Sequence, residues 1–447
     1  MKEIRCRDYH EGLPDVLKES DRRVFDLVAA EYDRQRDTLQ LIAAENRCSR
    51  AVLAALGSVV QNKTTEGFPG GRFHAGCGIV DEIETLAVER AKQVFSARHA
   101  EVQPHSGTTA NHIVMAAVLR PGDRILSLGL DQGGHLSHGA VVSFTGRFFE
   151  VANYGVDPET LLLDYDRIGL HAQRFRPRLI VCGATAYCRT IDFARFRRIA
   201  DEVGAFVLAD VSHIAALIAA GAHPSPVDHA HFTTTSTYKP GGPRGGLILM
   251  GRDAELEVEL FGRVRPLRRH LGHATFPGVQ GTPYMNNIAA KAVFFREMLG
   301  ADYRLRQFKV VENAAALAAA LLDMGFDVLT GGTDNHMVLV NLAAYKGGMT
   351  GIVAQRALEQ CGIIVNMNKL PYDKKPAAVT SGIRLGTPVI TADGMAADQM
   401  REIAAMIEGV LDSVKVKSDT EYEINPDVVE SVRDRVRELR CRFPISF

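Results

Sequence analysis

Lys239 closes the run His231-Phe232-Thr233-Thr234-Thr235-Ser236-Thr237-Tyr238 and is followed at once by Pro240-Gly241-Gly242-Pro243-Arg244-Gly245-Gly246. The β-branched residues favour a buried strand and the Gly/Pro cluster ends it, so the amine is presented at the carboxyl edge of a sheet. Burial there would lower the amine's pKa and make it a nucleophile suited to a Schiff base. A surface lysine ending a strand is the plainer alternative. In Ser106-Gly107-Thr108-Thr109, small residues stand between a strand and a helix, where N–H groups and hydroxyls can approach a phosphate. Asp210 ends the apolar run AFVLAD, where it could keep a pyridinium nitrogen protonated or simply cap the next helix. Phosphate cradle, strand-end acid and strand-end lysine, in that order, describe a pyridoxal-phosphate site.

The elements that must position these groups follow from periodicity. From about residue 85 helical and strand patterns alternate, the mark of βαβ units and a largely parallel sheet. The spacing predicts helices over 84–95, 109–119 and 193–203. It predicts a strand end over 101–104 and strands over 124–128, 179–182, 205–209, 232–237 and 246–250. After about residue 302 an alanine-rich helix (312–324), a strand (337–342), a helix (351–360) and a strand (362–366) predict a smaller α+β unit that ends in a helix. The expected division is an N-terminal helical arm (1–50), a large α/β domain (51–300) and a small C-terminal domain (301–447). The basic segment 263–270 reads as a solvated loop.

Composition bounds the partner. The 447 residues are 46% hydrophobic and 23% charged, enough for a large domain and a smaller one. With 52 basic against 53 acidic residues, the formal charge of −1 draws the chain neither to nucleic acid nor to an anionic membrane, and points to a small-molecule partner. The seven cysteines, Cys6, Cys48, Cys77, Cys182, Cys188, Cys361 and Cys441, are odd in number and lack a CxxC pair, so neither a disulfide framework nor a metal site is expected. A charged amino terminus without an apolar core, and no membrane-length apolar run, predict a cytoplasmic protein.

Ordered motifs from about residue 38 onward closely resemble the serine hydroxymethyltransferases. They include LIAAEN (41–46), NKTTEGFPGGRFHAGC (62–77), VQPHSGTTAN (102–111), GGHLSHG (133–139), ADVSHIAALIAAG (209–221), TYKPGGPRGG (237–246), FPGVQGTP (276–283), GGTDNH (331–336) and TSGIRLGTP (380–388). The resemblance implies the aspartate-aminotransferase-like fold type I: a mainly parallel seven-stranded sheet sandwiched by helices, with a smaller C-terminal α+β domain. It implies pyridoxal 5'-phosphate attached to Lys239, with Asp210 at the ring nitrogen and His135 stacked on the ring. Ser106, Gly107 and Thr108 would hold the phosphate, and Thr185 and His213 would lie near the phenolic oxygen. Arg384 would clamp the substrate carboxylate, a task suited to a guanidinium fork. Glu66 would manage protons across a subunit interface, with Gly281 also acting in the neighbour's site, in a homodimer or tetramer. Leu130, Gly134, Leu136 and Asn368 match the pocket for tetrahydrofolate, the implied co-substrate.

Taken alone, some of these residues admit plainer roles. His135 and His138 could be loop histidines, and Glu66 could face water, although Phe68, Pro69, Phe73 and His74 beside it suit a pocket wall. A lone arginine in an apolar strand, as at 384, calls for an anion.

Departures from the family pattern cluster on the substrate side. Ala44 stands for a usual serine, Thr64 for a tyrosine, and Phe73-His74 for a tyrosine pair. Tyr238 replaces a histidine, Pro240-Gly241 shortens the turn after Lys239, and Met367, Lys369 and Tyr372 replace lysine, serine and asparagine. The pattern NKTxEGFPGxRFH is also similar to a 2-methylserine hydroxymethyltransferase subgroup, through Thr64 and His74. The expected reaction is therefore cleavage of the Cα–Cβ bond of serine, or of an α-substituted serine such as α-methylserine, with transfer of one carbon to tetrahydrofolate to leave glycine or alanine. The alternative is a folate-independent threonine aldolase or transaldolase that joins a glycine carbanion to an aldehyde, met by Arg265, Arg268 or Arg269. A catalytically silent binding subunit would need a lost catalytic residue, and Lys239, Asp210, His135 and Arg384 are all present.

Overall fold

The computed structural model describes residues 13–445; the first twelve residues of the expected N-terminal arm, with Cys6, lie outside the described residues. Seven strands form the central sheet: β1 (His99–Glu101), β2 (Arg124–Leu128), β3 (Glu150–Tyr154), β4 (Leu179–Cys182), β5 (Phe206–Asp210), β6 (Phe232–Ser236) and β7 (Gly246–Met250). Their order across the sheet is β1-β7-β6-β5-β4-β2-β3. All neighbours are parallel except β7, which runs against both β1 and β6. The sheet is thus mainly parallel, as the sequence predicts.

β4 (LIVC), β5 (FVLAD) and β7 (GLILM) read as nearly continuous apolar runs because both faces are covered. Leu126, Ile180, Val207 and Leu247 face one buried cluster, whereas Ile125, Val181, Leu208 and Ile248 face another that includes Ile113 and Val114. Those last two belong to α2 (Gly107–Val118), and the first cluster includes Ala87 and Ala91 of α1 (Gly78–Phe95) and Phe295 of α3 (Met285–Met298). A third cluster gathers Leu317, Val340, Ile383, Ile407 and Leu439 with Leu39 and Leu41, which arrive from the amino-terminal side. It lies against a four-stranded sheet of β8 (Asp327–Val328), β9 (Met337–Asn341), β10 (Asn366–Asn368) and β11 (Gly382–Gly386), in the order β8-β9-β11-β10.

Several predicted elements differ in extent. α1 begins at Gly78 rather than 84, because the exposed Ile79 hides the periodicity of its first turn. The helix predicted from 312 begins at Ala301; its charged first half buries Tyr303, Gln307 and Val310 at helical spacing. The segment 362–366 divides between Ile363–Ile364, which pairs with Leu39–Gln40, and β10. The basic segment is not a loop. Arg263–Pro266 pairs with Glu257–Leu260 through a two-residue turn whose φ values, 57° at Phe261 and 77° at Gly262, match the twist of a hairpin, and Leu267–His273 continues as a helix.

Candidate active site

The carboxyl ends of β5 and β6 and the start of α2 converge on a cavity of about 220 Å³, lined by Ser106, Gly107, Thr108, His135, Thr185, Asp210, His213 and Lys239 among others. Local chemistry explains the placement. Ser106 caps α2, its Oγ accepting the Thr109 N–H at 3.0 Å, and Ser106, Gly107 and Thr108, at the helix start where backbone N–H groups have no intrahelical acceptor, line the cavity. Lys239 follows β6 in the turn Thr237–Gly242, where the Gly242 N–H donates to Thr237 O. It is half-buried rather than buried, and its Nζ donates to Ser236 Oγ at 3.1 Å. The Tyr238 ring carries Lys239 Nζ 4.8 Å and the Arg244 guanidinium 4.5 Å from its centroid.

Asp210 is the most elaborately supported group. His138 Nε2 donates to Oδ2 at 2.9 Å and Asn111 Nδ2 to the same atom at 2.8 Å, while Ser212 gives Oδ1 its backbone N–H at 3.0 Å and its hydroxyl at 2.6 Å. Burial pushes the carboxyl up, but the hydrogen bonds from His138, Ser212 and Asn111 outweigh it and hold the pKa well below the usual carboxylate range. His138 Nδ1 accepts the His135 N–H at 3.4 Å, which leaves the proton on Nε2 for Asp210. His135 Nδ1 in turn accepts the Ser137 N–H at 3.2 Å, and burial lowers its pKa to about 4, so its ring is neutral.

His213 stacks on His336, centroids 5.7 Å apart and planes 19° from parallel. Burial, then the positive charges of Lys239 and Arg384, keep His213 unprotonated. His336 Nε2 is held by Ala43 O at 3.1 Å. Arg384, buried on β11, donates Nη1 to Thr185 O at 2.6 Å and Nε to Asn366 Oδ1 at 3.1 Å. Both acceptors are neutral, and among the described residues no carboxylate pairs with it. Burial lowers its pKa to about 10.

A second cavity, about 580 Å³, shares His135, His138 and Thr185 with the first and is walled by Leu130, Gly134, Leu136, Asn368 and Lys369. The model of the family described as serine hydroxymethyltransferase matches residues 17–407. A protein named serine hydroxymethyltransferase from Zymomonas mobilis subsp. mobilis is 48% identical over 432 residues, covering 96% of this chain and 97% of that one. The chain belongs to the serine hydroxymethyltransferase family. That family has the pyridoxal-phosphate fold type I and uses pyridoxal phosphate with tetrahydrofolate as co-substrate. Membership does not favour the folate-independent aldolase.

The residues present fit both groups of a serine hydroxymethyltransferase. His213 Nδ1 is buried without a partner among the described residues. Arg384 is a buried cation whose two hydrogen-bond acceptors are neutral, a setting that suits an anionic carboxylate. At Gly107 an added Cβ would stand 3.2 Å from both the Cβ and the backbone N of Ser236, so a side chain would narrow the space beside the helix start.

Glu66, Gly281, Thr64, Phe73 and His74 are not brought to the Lys239 cavity within one chain. Glu66 lies against Gly281, where an added Cβ would sit 3.2 Å from its Oε1, and Phe73 is 75% exposed, so this segment forms no pocket wall by itself. Ala44 is half-buried beside Ala43, whose carbonyl holds His336. Sequence reasoning missed Asn111, Ser137, Ser212, Thr234 and Ser236. Asn111 donates to Ser137 Oγ at 2.9 Å and accepts from Thr234 Oγ1 at 2.6 Å, tying α2 to β6 beneath Asp210. A signal existed: Asn111 lies one helical turn past Gly107, and Thr234 and Ser236 share one face of β6.

Proposed function

We propose that this chain transfers the hydroxymethyl carbon of serine to tetrahydrofolate, leaving glycine, and that α-methylserine, which would leave alanine, is a second donor. One observation carries the reading: Lys239 and the ionised Asp210 line a cavity, behind whose Thr185 Arg384 is bonded, and that cavity shares three residues with a second, largely apolar one. Pyridoxal phosphate, when bound, supplies an electron sink for the carbanion left when a bond to Cα breaks. Lys239 Nζ would hold the cofactor, its amine set beside Ser236 Oγ at the edge of the cavity. Ser106, Gly107 and Thr108 bind its phosphate at the helix start. Asp210, kept ionised by His138, Asn111 and Ser212, holds a proton at the ring nitrogen. His135, a neutral imidazole in the cavity lining, would cover the cofactor ring, and His213 and Thr185, also in the lining, would meet its phenolic oxygen. Arg384 receives the substrate carboxylate in its two-pronged grip.

Leu130, Gly134, Leu136 and Asn368, which line the second cavity, would enclose the pterin. Glu66, Gly281, Phe73 and His74 complete the site of a neighbouring copy, where Glu66 moves the proton of the transferred hydroxymethyl group, so a homodimer or a tetramer is the working assembly. Ala44 and Thr64, without the hydroxyl and phenol usual there, leave room for an α-substituent. A cytoplasmic location accords with six described cysteines that are all free. Among the described residues no helix is long and apolar enough to cross a membrane. The test is product analysis by mass spectrometry after incubation of the pyridoxal-phosphate-loaded protein with serine, α-methylserine and threonine, with and without tetrahydrofolate. Folate-dependent glycine and alanine are expected; acetaldehyde from threonine as the dominant product, regardless of folate, would overturn the reading.

A further inference from the structure

Lys291 of α3 is 1% exposed and makes no ion pair within 4 Å among the described residues, yet its ammonium is fully engaged. Nζ donates to Val102 O at 2.6 Å, Pro104 O at 3.2 Å and Gly246 O at 2.7 Å. Two of these carbonyls belong to the segment that leads from β1 to Ser106, and the third opens β7, where the chain re-enters the sheet after Lys239. Three N–H donors for three carbonyls are the set of an ammonium; burial brings its pKa down to about 7, against the support of the Glu101 and Glu84 carboxyls.

The surrounding backbone is fitted to this cation. A Cβ at Gly245 would stand 2.5 Å from Lys291 Cε, and one at Gly246 would stand 2.2 Å from Ser106 O, so the two segments touch through glycine alone. Gly246 N donates to Pro104 O at 2.8 Å, and Thr237 N donates to Gly245 O at 3.0 Å. The lysine turn and the phosphate loop therefore meet at one buried point, and Lys291 occupies it.

We propose that Lys291 is a positioning residue that fixes the phosphate loop relative to the Lys239 turn, and so sets how strongly the site prefers a phosphorylated cofactor. The proposal rests on the reading of Ser106, Gly107 and Thr108 as phosphate holders. A general structural role would weaken every ligand of the cavity alike, whereas a spacing role weakens the phosphate contribution selectively.

The test compares dissociation constants of pyridoxal phosphate and pyridoxal for the full-length apoprotein, followed by cofactor absorbance, in wild type and in Lys291→Met. Losing charge-assisted bonds to the loop is expected to raise the pyridoxal-phosphate constant at least about tenfold, while pyridoxal changes less than about threefold. Gly245→Ala, which displaces the ammonium without removing it, is expected to act in the same direction and decides the matter should Lys291→Met not fold. Equal losses for both ligands, or no loss for either, would overturn the positioning role. A wild-type protein that failed to prefer the phosphorylated form would instead overturn the phosphate reading beneath it.

Discussion

His138 Nε2 and Asp210 Oδ2 stand 2.9 Å apart with both side chains buried, and this bond, rather than the position of Asp210 at a strand end, keeps the acid ionised. Without such partners burial alone would raise the carboxyl's pKa and leave it neutral. Asp210→Asn is accordingly expected to lower kcat by roughly 10²–10⁴-fold, the range for a positioned proton-holding group, while the cofactor remains bound.

The same bond has a pH consequence. Asp210 has a folded pKa below its unfolded value, so its contribution is present above the unfolded carboxyl pKa and is lost as pH falls through the folded one. In His138→Leu the folded pKa rises, and the acidic limb of the kcat profile should move to higher pH. A limb that stays in place would show that His138 does not hold the charge.

Arg384 should show opposite effects on binding and on stability. Arg384→Met removes the carboxylate's partner, and the KM for serine should rise by roughly 10–100-fold, with a smaller change in kcat. The free protein should meanwhile be at least as stable to heat as wild type, because an uncompensated buried cation is costly. A fall in the free protein's melting temperature would assign Arg384 a structural task instead.

The second cavity separates the two substrates. Leu136→Asp places a charge on its apolar wall, and the KM for tetrahydrofolate should rise roughly tenfold or more while that for serine stays within about twofold. Parallel changes in both constants would dissociate this cavity from the folate.

Glu66 and Lys239 are expected to meet only between copies. Lys239→Ala and Glu66→Gln proteins should each be inactive, and mixing with subunit exchange should restore about a quarter of wild-type activity, because half the dimers are then hybrids with one of two sites intact. No recovery despite proven exchange would place Glu66 outside the reaction.

How far the site was legible depended on the kind of signal. Asp210 was readable because it ends the apolar strand FVLAD, Lys239 because a β-branched run breaks into a Gly/Pro cluster, and the Ser106 loop because small residues precede a helix; β2, β4 and β7 kept their predicted bounds because Gly, Pro or charged residues flank short apolar runs. The residues that tune them were not, since Asn111, Ser137 and Ser212 act through hydrogen bonds between elements distant in sequence. The hairpin at 257–266 was missed because its strands are charged and exposed, and only the left-handed turn at Phe261-Gly262 marks it. The exposed face of Phe73 shows the limit of composition: an aromatic segment that suits a pocket wall can lie on the surface of a single chain.

The two cavities have His135, His138 and Thr185 in common, which makes their occupants thermodynamically linked. Whatever factor a ligand in one imposes on affinity in the other must be returned unchanged in the reverse direction. Titrating serine at fixed folate and folate at fixed serine therefore measures a single coupling constant twice, and its sign states whether those three side chains make the ligands allies or rivals.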